Sequence, residues 1–245
     1  MKQPHIDCES SDIAPYVILP GDPARVDRIA SFLEESREVA CNREFKTVTG
    51  RYQGVPVTVT STGIGGASMV IALEELINCG GKFFVRTGSC GACQPGIGMG
   101  ELVLPTGVVR EDGASKMYLP PEYPAVGDHE MMSFAVDYCK TEGFSYHLGI
   151  TRSHDSFYID NESELMALWS RRKVLASDME TATLYALASY RGVRALSILN
   201  NVVLYQGDLK EGIGDYVGMK GAAEEGEKRE ILTALATLKL CSETH

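Results

Sequence analysis

Short apolar runs alternate with longer amphipathic segments along the whole chain. The short runs are rich in β-branched and aromatic residues, which is typical of buried strands. They predict strands at Tyr16–Leu19, Lys82–Arg86, Leu102–Val109, Tyr146–Ile150 and Arg194–Leu199, and two more within Arg51–Thr62 around Gln53-Gly54. The longer segments predict helices from Ala24 and at Ala67–Asn78, Asp128–Thr141, Thr181–Tyr190 and Ala222–Leu240. This alternation indicates an α/β fold.

No repeat, low-complexity tract or linker divides the 245 residues, so the pattern predicts one domain over residues 1–245. We expect a mainly parallel or mixed sheet with helices on both sides. Ligands bind at the carboxyl ends of the strands in such sheets. The first helix has a clear start, because Asp22 is placed to cap it and Pro23 to occupy its first position.

Composition narrows the choice of partners. Hydrophobic residues make up 44% of the chain and charged residues 23%, which suits a globular protein with a sizeable core. The net charge of −10 argues against nucleic-acid binding, which needs clustered lysine and arginine. No apolar run approaches the roughly 18 residues of a membrane span. Seven cysteines behind a polar N-terminus predict reduced thiols in the cytoplasm.

Cys90 and Cys93 form a C-x-x-C pattern, which allows redox chemistry or a metal site. The sequence has no second such pair and no histidine nearby, so we interpret both as small core residues.

Three predicted strands end in glycine-rich turns, at Leu19–Asp22, Ser61–Gly66 and Arg86–Ser89. Glycine lets backbone N–H groups approach an anion, and a following helix adds its positive end. Arg25 and Arg86 accompany the first and third turns, and a guanidinium group matches phosphate oxygens. Each turn taken singly is more often an ordinary connector. None matches the dinucleotide or Walker patterns, which disfavours nucleotide-cofactor folds.

The motifs together resemble the nucleoside phosphorylase family of the trimer/hexamer type, which includes uridine phosphorylase and hexameric purine nucleoside phosphorylase. The segments that carry this resemblance occur in matching order and spacing: Pro20–Arg25, Asn42–Phe45, Ser61–Gly66, Arg86–Gly91, Val109–Ser115, Tyr123–Val126, Ser153–Tyr158 and Asp178–Thr183. The resemblance runs from about Pro4 to Leu240 and leans toward the uridine branch. It implies a three-layer α/β/α fold whose mixed central sheet is partly barrel-like.

The resemblance also implies a reaction. Inorganic phosphate would attack C1′ of a nucleoside and release the base, with no required cofactor. The residues implied for phosphate are Gly21, Arg25, Arg86 and Ser89, with Arg43 from a neighbouring subunit. Those implied for ribose are Met179, Glu180 and a neighbour's His5. Read without the family, Glu180 would be a helix-start glutamate that favours the helix dipole, and His5 a residue of the chain terminus.

The base pocket departs from both branches. The family match places Cys90, Gly91, Phe157, Asn161 and Val203 around the base. Purine enzymes of the hexameric type carry a proton-donating aspartate where this chain has Val203, and Asp208 could replace it only if the loop were shifted. Uridine phosphorylases carry a glutamine near Asn161 and an arginine at Ser163 that read the uracil amide. We therefore expect a uridine-phosphorylase-like enzyme whose preferred base is altered.

Other implications concern ions and assembly. Glu44, Ile64 and Ser68 match a potassium site at a dimer interface in uridine phosphorylases, so a bound potassium ion is allowed but not required. His5 and Arg43 imply a homo-oligomer with a dimer as the active unit, and the family resemblance implies that the full assembly is a hexamer. Three alternatives stay open: a purine nucleoside phosphorylase, a nucleosidase that uses water, and a non-catalytic nucleoside-binding protein.

Overall fold

The computed structural model describes residues 2–207, 214 and 221–245. The strands are β1 (Tyr16–Pro20), β2 (Glu34–Asn42), β3 (Phe45–Tyr52), β4 (Val55–Thr60), β5 (Phe83–Ala92), β6 (Leu102–Glu111), β7 (Ala125–Val126), β8 (Tyr146–His154), β9 (Ala176–Asp178) and β10 (Arg194–Val203). The helices are α1 (Pro23–Ala30), α2 (Gly66–Asn78), α3 (His129–Glu142), α4 (Glu162–Arg171), α5 (Thr181–Arg191) and α6 (Ala222–Thr244).

Five of the strands close into a ring. β5 pairs parallel with β10, β10 antiparallel with β6, β6 parallel with β8, β8 parallel with β9, and β9 antiparallel with β5. The sheet continues outward from β5 through β1, β4, β3 and β2. This mixed, partly barrel-like sheet confirms the predicted fold class.

Helices cover both faces of the sheet. α1, α3 and α6 bury their apolar faces in one core, which contains Ile29, Met131 and Leu235. α2 and α5 bury theirs in a second core, which contains Leu73 and Tyr185. No helix in the described part of the chain has the length and apolar character that crossing a bilayer requires.

The local signals at two turns are confirmed. The Asp22 side chain accepts a hydrogen bond from the Ala24 N–H at 3.0 Å, and Pro23 begins α1. Gln53 and Gly54 both have positive φ and join β3 to β4, which is the geometry of a tight hairpin turn.

The third glycine-rich turn was a wrong prediction. The chain does not turn after Arg86: β5 continues to Ala92, because its parallel pairing with β10 extends as far as Gly91 and Val203. Gly88 serves a different purpose, since a Cβ there would lie 2.6 Å from Nη2 of Arg86. The glycine therefore lets the arginine side chain fold back over its own strand.

Four of the strands and helices were not predicted: β2, β7, β9 and α4. β7 and β9 have only two and three residues, too few to leave a pattern. β2 is mostly exposed and rich in charge, which is how edge strands avoid pairing with other chains, so it lacks the apolar alternation of a buried strand. α4 has no fully buried residue and therefore carries only a weak helical pattern.

Candidate active site

A cavity of about 820 Å³ lies where the carboxyl ends of β1, β5, β8, β9 and β10 converge. Its lining includes every predicted site residue except His5, Arg43 and Asn161. The convergence follows from the ring of strands, which brings segments distant in sequence to one opening. The cavity can be followed from an arginine-rich end to an apolar end.

Arg25 lies at the arginine-rich end, in the first turn of α1, and lines the cavity together with Gly21. Its side chain is almost completely buried, and Nη1 donates to the carbonyl of Thr87 at 2.9 Å. Two carboxylates of α6 face the same guanidinium: Glu227 Oε2 is 3.0 Å from Nε, and Glu230 Oε1 is 3.2 Å from Nη1. The C-terminal helix therefore fixes the position of a cation at the cavity wall.

Glu230 is fully buried in this cluster. Burial raises the pKa of its carboxyl to about 8, and the positive charge of Arg25 only partly opposes this effect. Near neutral pH the Glu230 carboxyl is therefore largely protonated. Arg25 then keeps positive charge available for an anion.

Arg86 reaches the same region from the middle of β5. Its Nε donates to Asp178 Oδ2 at 3.2 Å, and its Nη2 to Glu180 Oε2 at 2.5 Å. Burial alone would lower the pKa of the guanidinium, but the two carboxylates raise it above its ordinary value. Arg86 thus stays cationic inside the protein, and Ser89 adds a hydroxyl to the cavity wall on the same strand.

Asp178, at the end of β9, organises this region. Besides Arg86, it accepts hydrogen bonds from the Thr181 N–H at 3.0 Å, the Thr181 hydroxyl at 2.5 Å and the Ser153 hydroxyl. A carboxylate with this many donors is held in one orientation. Asp178 therefore fixes Arg86 and the start of α5 relative to each other.

Glu180 and Met179 follow directly and line the middle of the cavity. The Gly65 N–H donates to Glu180 Oε1 at 2.6 Å, so the second glycine-rich turn holds one carboxylate oxygen while Arg86 holds the other. Gly65 has a φ of 87°, a left-handed conformation that favours glycine. This arrangement leaves the remaining lone pairs of a fixed carboxylate for hydroxyl donors.

The apolar end of the cavity is formed by Cys90, Gly91 and Val203, with Phe157 and Met166 from the segments that follow β8. Val203 pairs with Gly91 across the sheet. Burial raises the pKa of the Cys90 thiol well above its ordinary value, so it is a neutral side chain there. Apolar walls of this kind suit the flat face of an aromatic ring.

Asn161 does not reach the cavity. It is exposed and precedes α4, where its backbone carbonyl accepts from Glu164 and Leu165. The neighbouring Glu162 lines the cavity instead, because the first turn of α4 directs it inward. Asp208, the alternative proton donor, lies outside the described residues.

His5 and Arg43 do not line the cavity of their own chain, although Glu44, which follows Arg43 directly, does. His5 Nδ1 is 2.6 Å from Glu75 Oε1, and the Asn42 side-chain amide donates to the His5 carbonyl at 2.8 Å. Arg43 is exposed in the turn between β2 and β3. The Arg43 side chain is thus exposed and that of His5 partly exposed.

The three residues matched to a potassium site also line the cavity. Glu44 Oε1 accepts from the Ser68 hydroxyl at 2.9 Å, and the side chain of Ile64 is exposed. Hydrogen bonds from its own backbone N–H and from Ser68 lower the pKa of Glu44, which keeps the carboxylate charged. The Glu44 carboxylate and the Ser68 hydroxyl supply a charged and a neutral oxygen, which suit a hard cation, whereas Ile64 could contribute only its backbone carbonyl.

Cys90 and Cys93 are both buried, which agrees with their interpretation as small core residues. Cys93 Sγ lies 3.5 Å from the sulfur of Met166 and 3.4 Å from the Ser177 hydroxyl. Within residues 2–207, 214 and 221–245, no group of three or more potential His, Cys, Asp or Glu ligands could hold a metal ion.

Comparison with known proteins agrees with this geometry. The sequence model described as "Phosphorylase superfamily" matches residues 15–200. The chain belongs to this superfamily. Uridine phosphorylase of Thermococcus kodakarensis is 46% identical over 205 residues, covering 79% of this chain and 74% of that protein. Guanosine phosphorylase of Halorubrum lacusprofundi is 43% identical over 197 residues, covering 80% and 81%.

A solved structure of a superfamily member has the same fold. Uridine phosphorylase from Vibrio fischeri ES114 superimposes with a TM-score of 0.92 at 41% identity, over 98% of both chains. The resemblance to nucleoside phosphorylases that the motifs indicated is confirmed.

Sequence reasoning gave no role to several cavity-lining or supporting residues: Asp178, Glu162, Met166, Glu227 and Glu230. Glu227 and Glu230 left a signal that could have been used. They lie three residues apart on the same side of α6 as Ile231, on its buried face. Carboxyl groups on a buried helix face must be paired with a cation or protonated, so two of them together indicate a cation opposite the helix.

Proposed function

We propose that the protein cleaves uridine with inorganic phosphate, giving uracil and ribose 1-phosphate. The observation that carries this proposal is the pair of buried arginines, Arg25 and Arg86, at one end of a cavity whose middle holds Glu180. Buried cations that converge on an open space are suited to an anion. The uridine phosphorylases among the relatives support the choice of nucleoside.

The arginine-rich end and the middle of the cavity suggest how the reaction proceeds. Phosphate is held by Arg25, Arg86, Ser89 and the backbone at Gly21, below the sugar. Glu180 accepts hydrogen bonds from the ribose hydroxyls, and Met179 packs against the ring. This placement brings a phosphate oxygen to C1′, so proximity and electrostatic stabilisation do most of the work.

In the chemical step, the bond between C1′ and the base nitrogen breaks as a bond forms between C1′ and a phosphate oxygen. The sugar passes through a state with oxocarbenium character, which the negative phosphate stabilises. The electron pair of the broken bond leaves with the base, which takes up a proton or accepts a hydrogen bond as it departs. The phosphate supplies the nucleophile, so no water is consumed.

The active unit in our proposal is a dimer, with hexamers as the full assembly. Its support is that His5 and Arg43 are both absent from the lining of their own chain's cavity, while Asn42, next to Arg43, donates to the His5 carbonyl. Each copy would lend both residues to its neighbour, Arg43 to phosphate and His5 to the ribose. Potassium at Glu44, Ile64 and Ser68 belongs to the same proposal. We also propose the cytoplasm as the location, since free thiols suit a reducing compartment.

The proposal is tested by measuring base release from uridine, thymidine, inosine, adenosine and guanosine, with and without phosphate. We expect uridine cleavage that depends on phosphate. Full release without phosphate would identify a nucleosidase instead. Binding of nucleosides without release of any base, with phosphate present, would identify a binding protein.

A further inference from the structure

Glu227 of α6 forms ion pairs with two arginines of α1. Its Oε2 lies 3.0 Å from Nε of Arg25, and Arg28 donates to both of its oxygens, with 3.1 Å between Nη2 and Oε2. The side chain of Glu227 is only 2% exposed, as against 32% for that of Arg28. The two arginines are three residues apart, which makes them neighbours on one side of the helix. The carboxylate is therefore a buried bridge between them.

The start of α1 fixes the outer end of this bridge. Asp22, which caps the helix, lies 3.5 Å from Nη2 of Arg28 through its Oδ2. Burial alone would lower the pKa of the Arg28 guanidinium, but the hydrogen bonds and charges of Glu227 and Asp22 raise it above its ordinary value. Arg28 therefore stays cationic. Its fork of Nε and Nη2 holds one oxygen of Glu227 each, which sets the plane of the carboxylate.

Close packing of α6 on the sheet brings Glu227 to this depth. Gly226 precedes it, and a Cβ at residue 226 would lie 2.1 Å from Oδ1 of Asn200. The same asparagine donates from its side-chain amide to the Ala223 carbonyl at 2.8 Å. β10 therefore fixes the beginning of α6, and with it the position at which Glu227 meets Arg25.

Contacts at two different nitrogen atoms set the orientation of the Arg25 guanidinium. Nη1 donates to the Thr87 carbonyl at 2.9 Å, whereas Glu227 faces Nε. An arginine side chain left to itself samples many rotamers, and ordering it when an anion binds weakens the binding. A guanidinium that is already fixed avoids this loss of affinity.

We propose that Glu227 is a positioning residue for phosphate, because it holds Arg25 in the orientation in which this arginine binds the anion. The role rests on the proposed function, since the anion is the phosphate of that reaction. Glu227 acts through Arg25 and does not touch the substrate. The C-terminal helix thus takes part in phosphate binding from behind the cavity wall.

Two variants of Glu227 separate its position from its charge. Glu227→Gln has a single acceptor oxygen and turns its amide N–H groups toward a guanidinium. Glu227→Asp keeps the charge but is one methylene shorter, too short to keep the contacts with both arginines. We expect the phosphate KM to rise at least about fivefold in each, because a charge-assisted contact of phosphate loses its orientation. The value of kcat and the uridine KM should stay within about twofold of the wild type, since only phosphate binding is weakened.

Glu225 provides the matched control, because it lies on the same helix two residues earlier and is exposed. Glu225→Gln and Glu225→Asp should leave the phosphate KM near that of the wild type. Uridine turnover at saturating phosphate shows that each variant has folded. Calorimetric titration with inorganic phosphate measures binding without turnover and should rank the five proteins in the same order.

An unchanged phosphate KM in Glu227→Gln would overturn this role, and a lower one would show that Glu227 competes with phosphate for Arg25. Wild-type behaviour of Glu227→Asp would mean that charge matters and position does not. An equal rise in the phosphate and uridine KM would indicate a general displacement of α6. If the wild-type protein binds phosphate but releases no base with it, the proposed function fails, and the calorimetric comparison still decides the role of Glu227. No phosphate binding by the wild type would overturn both.

Discussion

Arg86 donates a hydrogen bond to Glu180 over 2.5 Å, and both side chains are buried. The pair joins the arginine-rich end of the cavity to its middle, where we place phosphate and ribose. In our proposal, the cation that binds phosphate is therefore already held by the carboxylate that binds the sugar. We expect the binding of phosphate and the binding of the nucleoside to be coupled through this contact.

Replacement of Arg86 should weaken phosphate binding. In Arg86→Ala we expect the phosphate KM to rise at least about tenfold, because a charge-assisted contact is lost. The free energy of unfolding should also fall, by about 3–5 kcal/mol, since Asp178 and Glu180 would lose their buried cation. Steady-state kinetics with phosphate varied and urea unfolding measure the two effects. An unchanged phosphate KM would refute the role of this arginine.

Replacement of Glu180, unlike that of Arg86, should not raise the phosphate KM. Glu180→Gln keeps the shape of the side chain but removes the negative charge that competes for Arg86. We expect kcat/KM for uridine to fall at least about tenfold through weaker ribose contacts, while the phosphate KM stays the same or decreases. Steady-state kinetics with uridine and phosphate varied separately measure the effect on uridine kcat/KM and the effect on phosphate KM. A rise in phosphate KM like that in Arg86→Ala would contradict this division of roles.

The Glu230 carboxyl should make phosphate binding sensitive to alkaline pH. Its pKa of about 8 means that it ionises as the pH rises through that value and then competes with phosphate for Arg25. We therefore expect the phosphate KM to increase above about pH 8 in the wild type and to do so less in Glu230→Gln. Identical profiles from about pH 6 to pH 9 in the two proteins would count against this competition.

The same group predicts how stability changes with pH. The folded pKa of Glu230 lies above the ordinary value of 4.5, so the folded state retains a proton that the unfolded state releases. The contribution of Glu230 to stability is present below the ordinary pKa and is lost as the pH rises through about 8. Unfolding in urea across this range should show a smaller decline in Glu230→Gln than in the wild type. A steeper decline in the variant would contradict the assignment.

Mixing two inactive variants tests whether neighbouring copies complete each other's sites. Arg43→Ala and Arg86→Ala should each lose activity, because each lacks one phosphate contact. If the residues act in different subunits, co-expression of the two should restore about a quarter of the wild-type activity, since half of the random dimers would contain one intact site of two. The purified variants mixed without subunit exchange serve as the control. No recovery in the co-expressed protein would place Arg43 outside the neighbour's site.

Much of the fold and of the arginine-rich end of the cavity was predictable because it depends on local chemistry. The Asp22 cap, the Gln53-Gly54 hairpin and the arginine beside the first turn each leave a short-range signal in the sequence. The third turn was a wrong prediction because glycine usually marks a turn, whereas Gly88 makes room for Arg86 within a continuing strand. Local sequence does not reveal a contact made by a side chain over its own strand.

The remainder of the site depends on tertiary structure. Glu230 approaches Arg25 only because α6 packs back against the start of the chain, a contact between residues 205 positions apart. Glu162 enters the cavity because of where α4 begins, one residue beyond the Asn161 that the family pattern indicated. Neither relation follows from periodicity or spacing.

The central claim is that phosphate, and not water, takes the place of the base at C1′. The most direct measurement is phosphorus NMR of the protein with uridine and inorganic phosphate, together with quantification of uracil. We predict a ribose 1-phosphate resonance that grows in equal amount with uracil, while the inorganic phosphate signal declines. Uracil release accompanied by free ribose and an unchanged phosphate signal would contradict it.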